Sequence, residues 1–521
     1  MCGILAIYRK YEECHMSEIA KAHAILSNRG PDCGKIITEP SIMGFRRLAI
    51  MDTSDKGVQP FEKGRVKVLC NGEIYNHKEL EKRWDLNCVS GSDCECIIHL
   101  YKKLGWYKTF TQLRGDFAVI IIDGPDMYFG RDNIGVRPLY WGRTKSGNFA
   151  LASYARALTE YCNEVGQVPP GTGHYKSSSD KFIFNRNSTL LDITYIPGVR
   201  EEIRKTLTNA VKSRLMSDRP VGCLLSGGLD SSLIVSILCK LIGAENVRTY
   251  SIGMEGSEDL KHARTLANTL GTHHNEIKFT PEEGFQAISD VIRDLESYDI
   301  TTIRASVGMW LLAKWISKNT TDIVLLSGEG ADELFCGYLY FHSAPNTHEL
   351  KSESIRLVKN LYLYDVLRAD RCISSHGLEL RVPFLDSEMV KLCMSISGDL
   401  LKPRDGVTKH ILREAFVDNY LSKEILWRRK EAFSDGVSGK DKKWFEHIKG
   451  FVEDIITDDI FDHNKYPSKE AQYYRLIYNN HFPNYQPTYE YWLPKWSDHK
   501  GDPSACVLDI YKNSCKIKRL T

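Results

Sequence analysis

The stretch Val221-Gly222-Cys223-Leu224-Leu225-Ser226-Gly227-Gly228-Leu229-Asp230-Ser231-Ser232 decides the fold of the second half of this 521-residue chain. Residues 221–225 form a short apolar run of buried-strand length. A glycine-rich turn follows, and residues 231–241 then read as a helix. The alternation continues with a strand at 247–252, a helix at 259–270 and a strand at 323–326. That last strand runs into a second turn, Ser327-Gly328-Glu329-Gly330-Ala331-Asp332-Glu333. Strand alternating with helix predicts an α/β doubly wound parallel sheet, whose ligands bind beyond the carboxyl ends of the strands. Both turns should therefore line one crevice. The remainder, to residue 480, reads as mostly helical.

Working outward, residues 201–216 are amphipathic, with Ile203, Leu207, Ala210, Val211 and Leu215 on one face. Pro197-Gly198 precedes them, so the expected domains are 2–195 and 200–521. The first half reads as α+β with antiparallel sheet. Strands are expected at 66–70, 117–123, 127–131, 139–143, 149–153 and 182–184, separated by turn residues such as Asp123-Gly124-Pro125. Helices are expected at 17–28, with Ser17 as N-cap, and at 93–104.

Composition narrows the class. The chain carries 69 basic and 67 acidic side chains, a formal net charge of +2, which argues against a general nucleic-acid or membrane-surface binder. No apolar run approaches the roughly 18 residues that span a bilayer. No hydrophobic signal segment is expected, because Arg9 and Lys10 cut short the apolar stretch after Cys2. The 15 cysteines are odd in number and scattered, which fits free thiols in a reducing, cytoplasmic compartment. There is no Cys-x-x-Cys, so a structural zinc site is not expected.

The turns carry chemistry. Glycines at a strand end let backbone N–H groups face an anion, and the following helix adds its dipole. Ser226, Ser231 and Ser232 add hydroxyls. Asp230 in this nest would repel phosphate unless a divalent cation intervenes, which predicts Mg²⁺. The Gly-Lys-Ser/Thr ending of a Walker A loop is missing. Glu329, Asp332 and Glu333 in the second turn need a metal or a basic group beside them. At the other end, Met1-Cys2-Gly3-Ile4 would, once Met1 is removed, expose a thiol and an α-amine on one residue. Such a residue supplies a nucleophile and its own base.

Ser226–Ser232 resembles the pyrophosphatase-type loop of enzymes that form acyl-adenylates. With Ser327–Glu333, Gly377-Leu378-Glu379-Leu380-Arg381-Val382-Pro383-Phe384-Leu385-Asp386 and Lys430-Glu431-Ala432-Phe433-Ser434-Asp435-Gly436, the chain is similar to the glutamine-hydrolysing asparagine synthetases. The first half resembles the glutaminase domain of N-terminal-nucleophile amidotransferases, a layered antiparallel-sheet sandwich. The matches are Arg29-Gly30-Pro31-Asp32, Arg47-Leu48-Ala49-Ile50, Asn71-Gly72-Glu73-Ile74-Tyr75-Asn76, Gly91-Ser92-Asp93 and Gly130-Arg131-Asp132-x-x-Gly135-Val136-Arg137-Pro138-Leu139.

The resemblance implies glutamine, aspartate and ATP as substrates. Cys2 would attack the glutamine amide, with Asn71 and the Gly72 N–H stabilising the oxyanion. Arg47, Asp93 and Glu73 would hold glutamine. Arg46 stands beside Arg47, where some relatives carry a histidine; the role goes to Arg47, which directly precedes Leu48, and Arg46 is read as solvated. ATP would lie against Leu224, Ser226, Gly227, Gly228, Asp230, Ser231, Ile252, Gly253, Ser327 and Gly328, with Asp230 and Asp332 on Mg²⁺. Glu329 would deprotonate ammonia attacking β-aspartyl-AMP, and Lys430 would stabilise charge on the phosphates. Thr301, Thr302, Arg304, Asp365 and Arg368 match aspartate-recognition positions, and each has an ordinary alternative as a surface ion pair or helix cap. An internal channel would deliver ammonia unprotonated. Homodimers are common in that family, with no marker legible here. The alternatives are a β-lactam-forming synthetase, an amidotransferase acting on another carboxylate, and a non-catalytic relative serving as sensor or scaffold. Intact Cys2, Arg47, Asn71 and Asp93 oppose the first, and intact Cys2, Asp230, Glu329 and Lys430 oppose the last.

Overall fold

The structure, a computed structural model, describes residues 1–8, 16–39, 41–176, 181–186, 196–429, 433–439, 442–487, 490–497 and 503. The first half builds strands β1 (Gly3–Tyr8), β2 (Cys33–Ile37), β3 (Ile42–Arg47), β4 (Phe61–Lys63), β5 (Val66–Ile74), β6 (Gly115–Asp123), β7 (Asp126–Arg131), β8 (Tyr140–Thr144), β9 (Phe149–Ala152), β10 (Cys162–Gln167), β11 (Gly171–Lys176) and β12 (Lys181–Arg186). They form two antiparallel sheets, ordered β10-β8-β9-β1-β3-β2 and β12-β11-β7-β6-β5-β4. Ile4 and Ala6 of β1, Leu69 of β5, Ile120 of β6 and Leu151 of β9 share one core between the sheets. The opposite faces are covered too. Val68, Cys70, Val119 and Ile121 pack on the helix Cys96–Leu104. Leu5, Ile7 and Ala150 join a core that continues into the second half. Residues 117–122 are therefore buried without alternation, as expected of a strand covered on both faces.

The second half forms a five-stranded parallel sheet of β13 (Val221–Leu224), β14 (Arg248–Gly253), β15 (His273–Lys278), β16 (Val324–Leu326) and β17 (Glu379–Arg381). The order is β15-β14-β13-β16-β17, and every pairing is parallel. The chain runs from β13 outward to one edge and resumes on the other side of β13. The order therefore reverses between β13 and β16, where a doubly wound sheet opens its crevice. In the helix Val199–Ser213, Ile203, Leu207, Ala210 and Val211 are fully buried, as their spacing predicts.

Some expected elements shift. The first helix spans Met16–Ile25 and tightens into a 3₁₀ turn, Leu26–Asn28, so Ser17 lies inside it rather than capping it. The helix expected at 93–104 begins as the 3₁₀ turn Asp93–Glu95. β5 continues past Cys70 to Ile74, so Asn71, Gly72 and Glu73 sit within a strand. β1 to β4, β10, β11, β15 and β17 had no reading as strands. β15 begins His273-His274-Asn275-Glu276 and β17 has three residues, so neither shows an apolar run.

Buried ion pairs stitch the halves together. Arg29 Nη1 meets Asp370 at 2.7 Å, and Arg214 reaches both Asp116 (3.1 Å) and Asp386 (2.8 Å). The described cysteines are all free thiols. Among the described residues, no helix is long and apolar enough to cross a membrane.

Candidate functional site

Cys2 leads into β1, half-buried, with its thiol 3.7 Å from the Leu48 carbonyl. Burial pushes that thiol up to about 11, against the pull of the neighbouring N-terminal ammonium. Arg29 Nε donates to the Cys2 carbonyl at 2.9 Å. Met1 is buried in front of Cys2, at the boundary of the halves. Its amine lies 3.6 Å from Glu379, and its sulfur accepts from Arg29 (3.6 Å) and Arg137 (2.8 Å).

The Glu73 carboxylate of the β5 motif acts electrostatically on the Cys2 thiol. Asn71 is fully buried, and neither of its side-chain polar atoms has a hydrogen-bond partner among the described residues. Gly72 has φ +143°, and a Cβ there would lie 2.0 Å from the Asp116 carbonyl, so only glycine fits. Asp93 accepts from the Ile74 N–H at 2.6 Å, and burial raises its pKa. Burial, followed by Asp93 and Glu379, pushes Glu73 well above the usual carboxylate range. Arg381 of β17 lies 3.4 Å from Glu73. Adjacent positions on β3 face opposite ways. Arg47 donates to the Ser54 carbonyl at 2.6 Å and to that of Asp52, whereas Arg46 donates to the His23 carbonyl at 3.2 Å. Asp132 accepts five backbone N–H groups, from Phe117, Ile134, Gly135, Val136 and Arg137, so its motif knots the loop after β7.

The two glycine turns of the second half abut. A Cβ on Gly328 would lie 2.8 Å from the Ser231 nitrogen. Gly227 has φ +73° and would meet the Ala263 nitrogen at 2.6 Å. Between the turns opens a cavity of about 170 Å³ lined by Leu224, Ser226, Asp230, Ser231, Ile252, Ser327, Gly328, Glu329 and Asp332. Gly228 lines a smaller adjoining cavity of about 60 Å³ with Ser226, Asp230, Lys409, Arg413 and Arg428. Gly227 and Gly253 line neither; Gly227 offers its carbonyl to Arg428 at 2.8 Å.

Of the five positions expected to recognise aspartate, Thr301, Asp365 and Arg368 line the cavity of about 170 Å³ and Thr302 and Arg304 do not. Helical periodicity separates them. Thr301, Ala305, Met309 and Leu312 form one face of the helix Ile300–Asn319, and that face lines the cavity. Thr302 closes the helix start by donating its N–H and hydroxyl to Asp299, at 2.8 and 2.7 Å. Arg304 makes a buried bidentate pair with Glu470, at 2.9 and 2.5 Å. Arg368 holds Glu329 at 2.9 Å and Asp365 at 3.0 Å. Lys430 lies outside the described residues.

Sequence reasoning missed several lining groups. Lys409 Nζ sits 2.6 and 2.7 Å from the Asp230 oxygens and 2.8 Å from Asp332. The two carboxylates assigned to a metal therefore converge on one cation, as a divalent ion requires. Nothing local announces Lys409, which stands 179 residues from Asp230. Glu333 and Tyr338 also line the cavity, with the Tyr338 hydroxyl 2.5 Å from Glu333. Burial, then Asp365 and Asp332, raises Glu333 to about 8.

One strand touches both sites. The Arg381 carbonyl accepts the Ser327 N–H at 3.0 Å, and its guanidinium pairs with Glu73.

Comparison with known proteins finds a different family in each half. A family model described as asparagine synthase matches residues 202–356 and 343–497, and one described as a glutamine amidotransferase domain matches residues 1–181. The chain is 42% identical to the glutamine-hydrolysing asparagine synthetase of Rattus norvegicus and 40% identical to that of Homo sapiens. Each alignment spans 99% of this chain and 100% of the relative. A half-buried thiol at the head of β1 and a buried asparagine amide with no hydrogen-bond partner among the described residues in one half, and paired glycine turns at a parallel-sheet crevice in the other, are thus found in a chain that belongs to the glutamine-hydrolysing asparagine synthetases.

Proposed function

We propose that the chain divides its reaction as follows. Cys2, freed of Met1, attacks the side-chain amide of glutamine, using its own amine as base. Asn71 and the Gly72 N–H receive the oxyanion, and the unpartnered Asn71 amide supports this. Arg47 pairs with the glutamine α-carboxylate and Asp93 with its α-ammonium, while Glu73 adds a polar contact. The ammonia released passes between the halves through the region occupied by Met1, where Arg29, Arg137 and Glu379 converge.

In the second half, ATP lies against Leu224, Ile252 and Gly253, with its phosphates over Ser226–Ser231 and Ser327–Gly328. Asp230 and Asp332 hold Mg²⁺, which when bound supplies charge neutralisation on the phosphates. Lys409 and Arg428 then turn from carboxylate and backbone partners toward phosphate. Asp365, Arg368 and Thr301 orient aspartate, Glu329 accepts the proton of the attacking ammonia, and Lys430 acts on the leaving phosphates. The compartment is reducing and cytoplasmic, consistent with the free described cysteines. A homodimer is the expected assembly, read by sedimentation.

The observation that carries this reading is the convergence of Asp230 and Asp332, from two turns far apart in sequence, on a single cation beside a phosphate-type loop. The Cys2→Ala variant tests the division of labour. It should lose glutamine hydrolysis and glutamine-dependent asparagine formation, and keep asparagine formation from ammonia. A folded Cys2→Ala protein that still uses glutamine, or has lost the ammonia reaction, would defeat it.

A further inference from the structure

Outside both sites, the first half carries a side-chain cluster that neither reaction uses. Glu95 and His99 stand one helical turn apart, where the turn Asp93–Glu95 runs into the helix Cys96–Leu104. Cys88 reaches them from the preceding loop. One donor atom from each, a thiol sulfur, a carboxylate oxygen and an imidazole nitrogen, lies within 4.8 Å of the other two. Ligands at i and i+4 share one helix face, a spacing that zinc sites use. No Cys-x-x-Cys announces this set, so the cysteine pattern alone pointed away from zinc.

The surroundings resemble the outer shell of a metal site. The Glu95 carboxylate accepts from the Val89 N–H (3.0 and 3.1 Å), the Ser90 N–H (2.7 Å) and the Ser90 hydroxyl (2.6 Å). A ligating carboxylate is oriented by such donors before a cation arrives. His99 Nε2 lies 3.3 Å from Glu95, and Nδ1 lies 3.0 Å from Lys63 Nζ. Lys63 is exposed, so its ammonium can move into water and leave Nδ1 to carry the ring proton. Burial, then Glu95 and Glu81, pushes the Cys88 thiol up to about 12. A bound cation reverses that balance and favours the thiolate.

We propose that Cys88, Glu95 and His99 form a binding site for a zinc-class divalent cation, with water in the fourth tetrahedral position. Thiolate and imidazole donors select such an ion over Mg²⁺ or Ca²⁺. On binding, the Cys88 S–H proton passes to solvent and a sulfur–metal bond forms, with no change in oxidation state. The cation ties Cys88 to the helix and so clamps the loop that leads into Gly91-Ser92-Asp93. Gly91 N–H is held by Asp52 at 2.7 Å, and Asp52 also offers its carbonyl to Arg47. The site thus stiffens the segment that presents Asp93 and, through Asp52, supports the loop that holds Arg47, without touching Cys2.

The full-length protein, stripped with a chelator and dialysed against ZnCl₂, should retain one zinc per chain by elemental analysis. Cys2→Ala should retain the same amount. Cys88→Ser and His99→Gln should bind zinc at least roughly 100-fold more weakly, the upper range for disturbing a metal's supporting shell. With Co²⁺ in place of zinc, thiolate-to-metal charge-transfer absorption should appear in the wild type and Cys2→Ala and be missing from Cys88→Ser. Thermal unfolding and far-ultraviolet circular dichroism matching the wild type show that the first half of each variant is folded, and ammonia-dependent asparagine formation shows it for the other half. Equal zinc retention by the wild type, Cys88→Ser and His99→Gln would overturn the site. So would a cobalt–thiolate band that follows Cys2 rather than Cys88.

Discussion

Lys409→Met removes the cation on which Asp230 and Asp332 converge, and the structure sets the size of the effect. The ammonium lies 2.6–2.8 Å from three carboxylate oxygens, and Lys409 is only 2% exposed. At an effective dielectric constant of about 20, a contact of this length corresponds to roughly 6 kcal/mol of attraction. Desolvation of the charges takes back much of that, and losing one member of a buried pair typically costs about 3–5 kcal/mol. Methionine is of similar volume, so the loss is electrostatic rather than a cavity. In EDTA the variant should therefore be destabilised by about 3 kcal/mol, the lower end of that range. Saturating Mg²⁺ should return much of it, since a ligand at 100 times its Kd stabilises by about 2.7 kcal/mol. The wild type should gain less, because lysine and metal compete for the same oxygens. Thermal unfolding at one scan rate across an EDTA-to-MgCl₂ series measures this, alongside glutamine hydrolysis, which should persist. Identical unfolding of variant and wild type in EDTA would refute the reasoning. So would an equal response of the two to Mg²⁺.

Three further expectations follow from the same geometry. Glu333 is protonated below about 8 and ionised above it. If it pairs with the aspartate ammonium, the aspartate KM should fall as pH rises through about 8, and Glu333→Gln should flatten that profile. Arg368→Leu should raise the aspartate KM, whereas Arg304→Leu should lower stability by about 3–5 kcal/mol through the orphaned Glu470 and leave folded protein with a near-normal KM. Burial alone would raise Glu379, but Arg381, the Met1 ammonium and Arg137 outweigh it and hold the carboxyl at about 2 while Met1 is in place; once Met1 is removed, Arg381 and Arg137 still pull it down. Its stabilisation is complete above the unfolded value of 4.5 and is lost as pH falls toward 2, so Glu379→Gln should shallow the acid limb of unfolding.

The parts legible in the sequence are those that one turn or one element contains. Ser226–Ser232 and Ser327–Glu333 each place their donors within a single strand-to-helix turn, so residue order already specifies the local geometry. The buried face of Val199–Ser213 follows from a 3.6-residue period, and the parallel sheet from strand–helix alternation. Helical phase would also have separated Thr301 from Thr302 and Arg304, had it been applied to Ile300–Asn319. β15 and β17 escaped because a short strand held by its neighbours needs no apolar pattern of its own. Lys409 between Asp230 and Asp332, Glu470 on Arg304 and Arg381 beside Glu73 were likewise beyond reach. Coulomb attraction acts through space, and a sequence orders residues only along the chain. The motifs alone thus determined which chemistry each half carries. The packing of segments up to hundreds of residues apart decided which charges meet, and so which of the motif residues face the crevice.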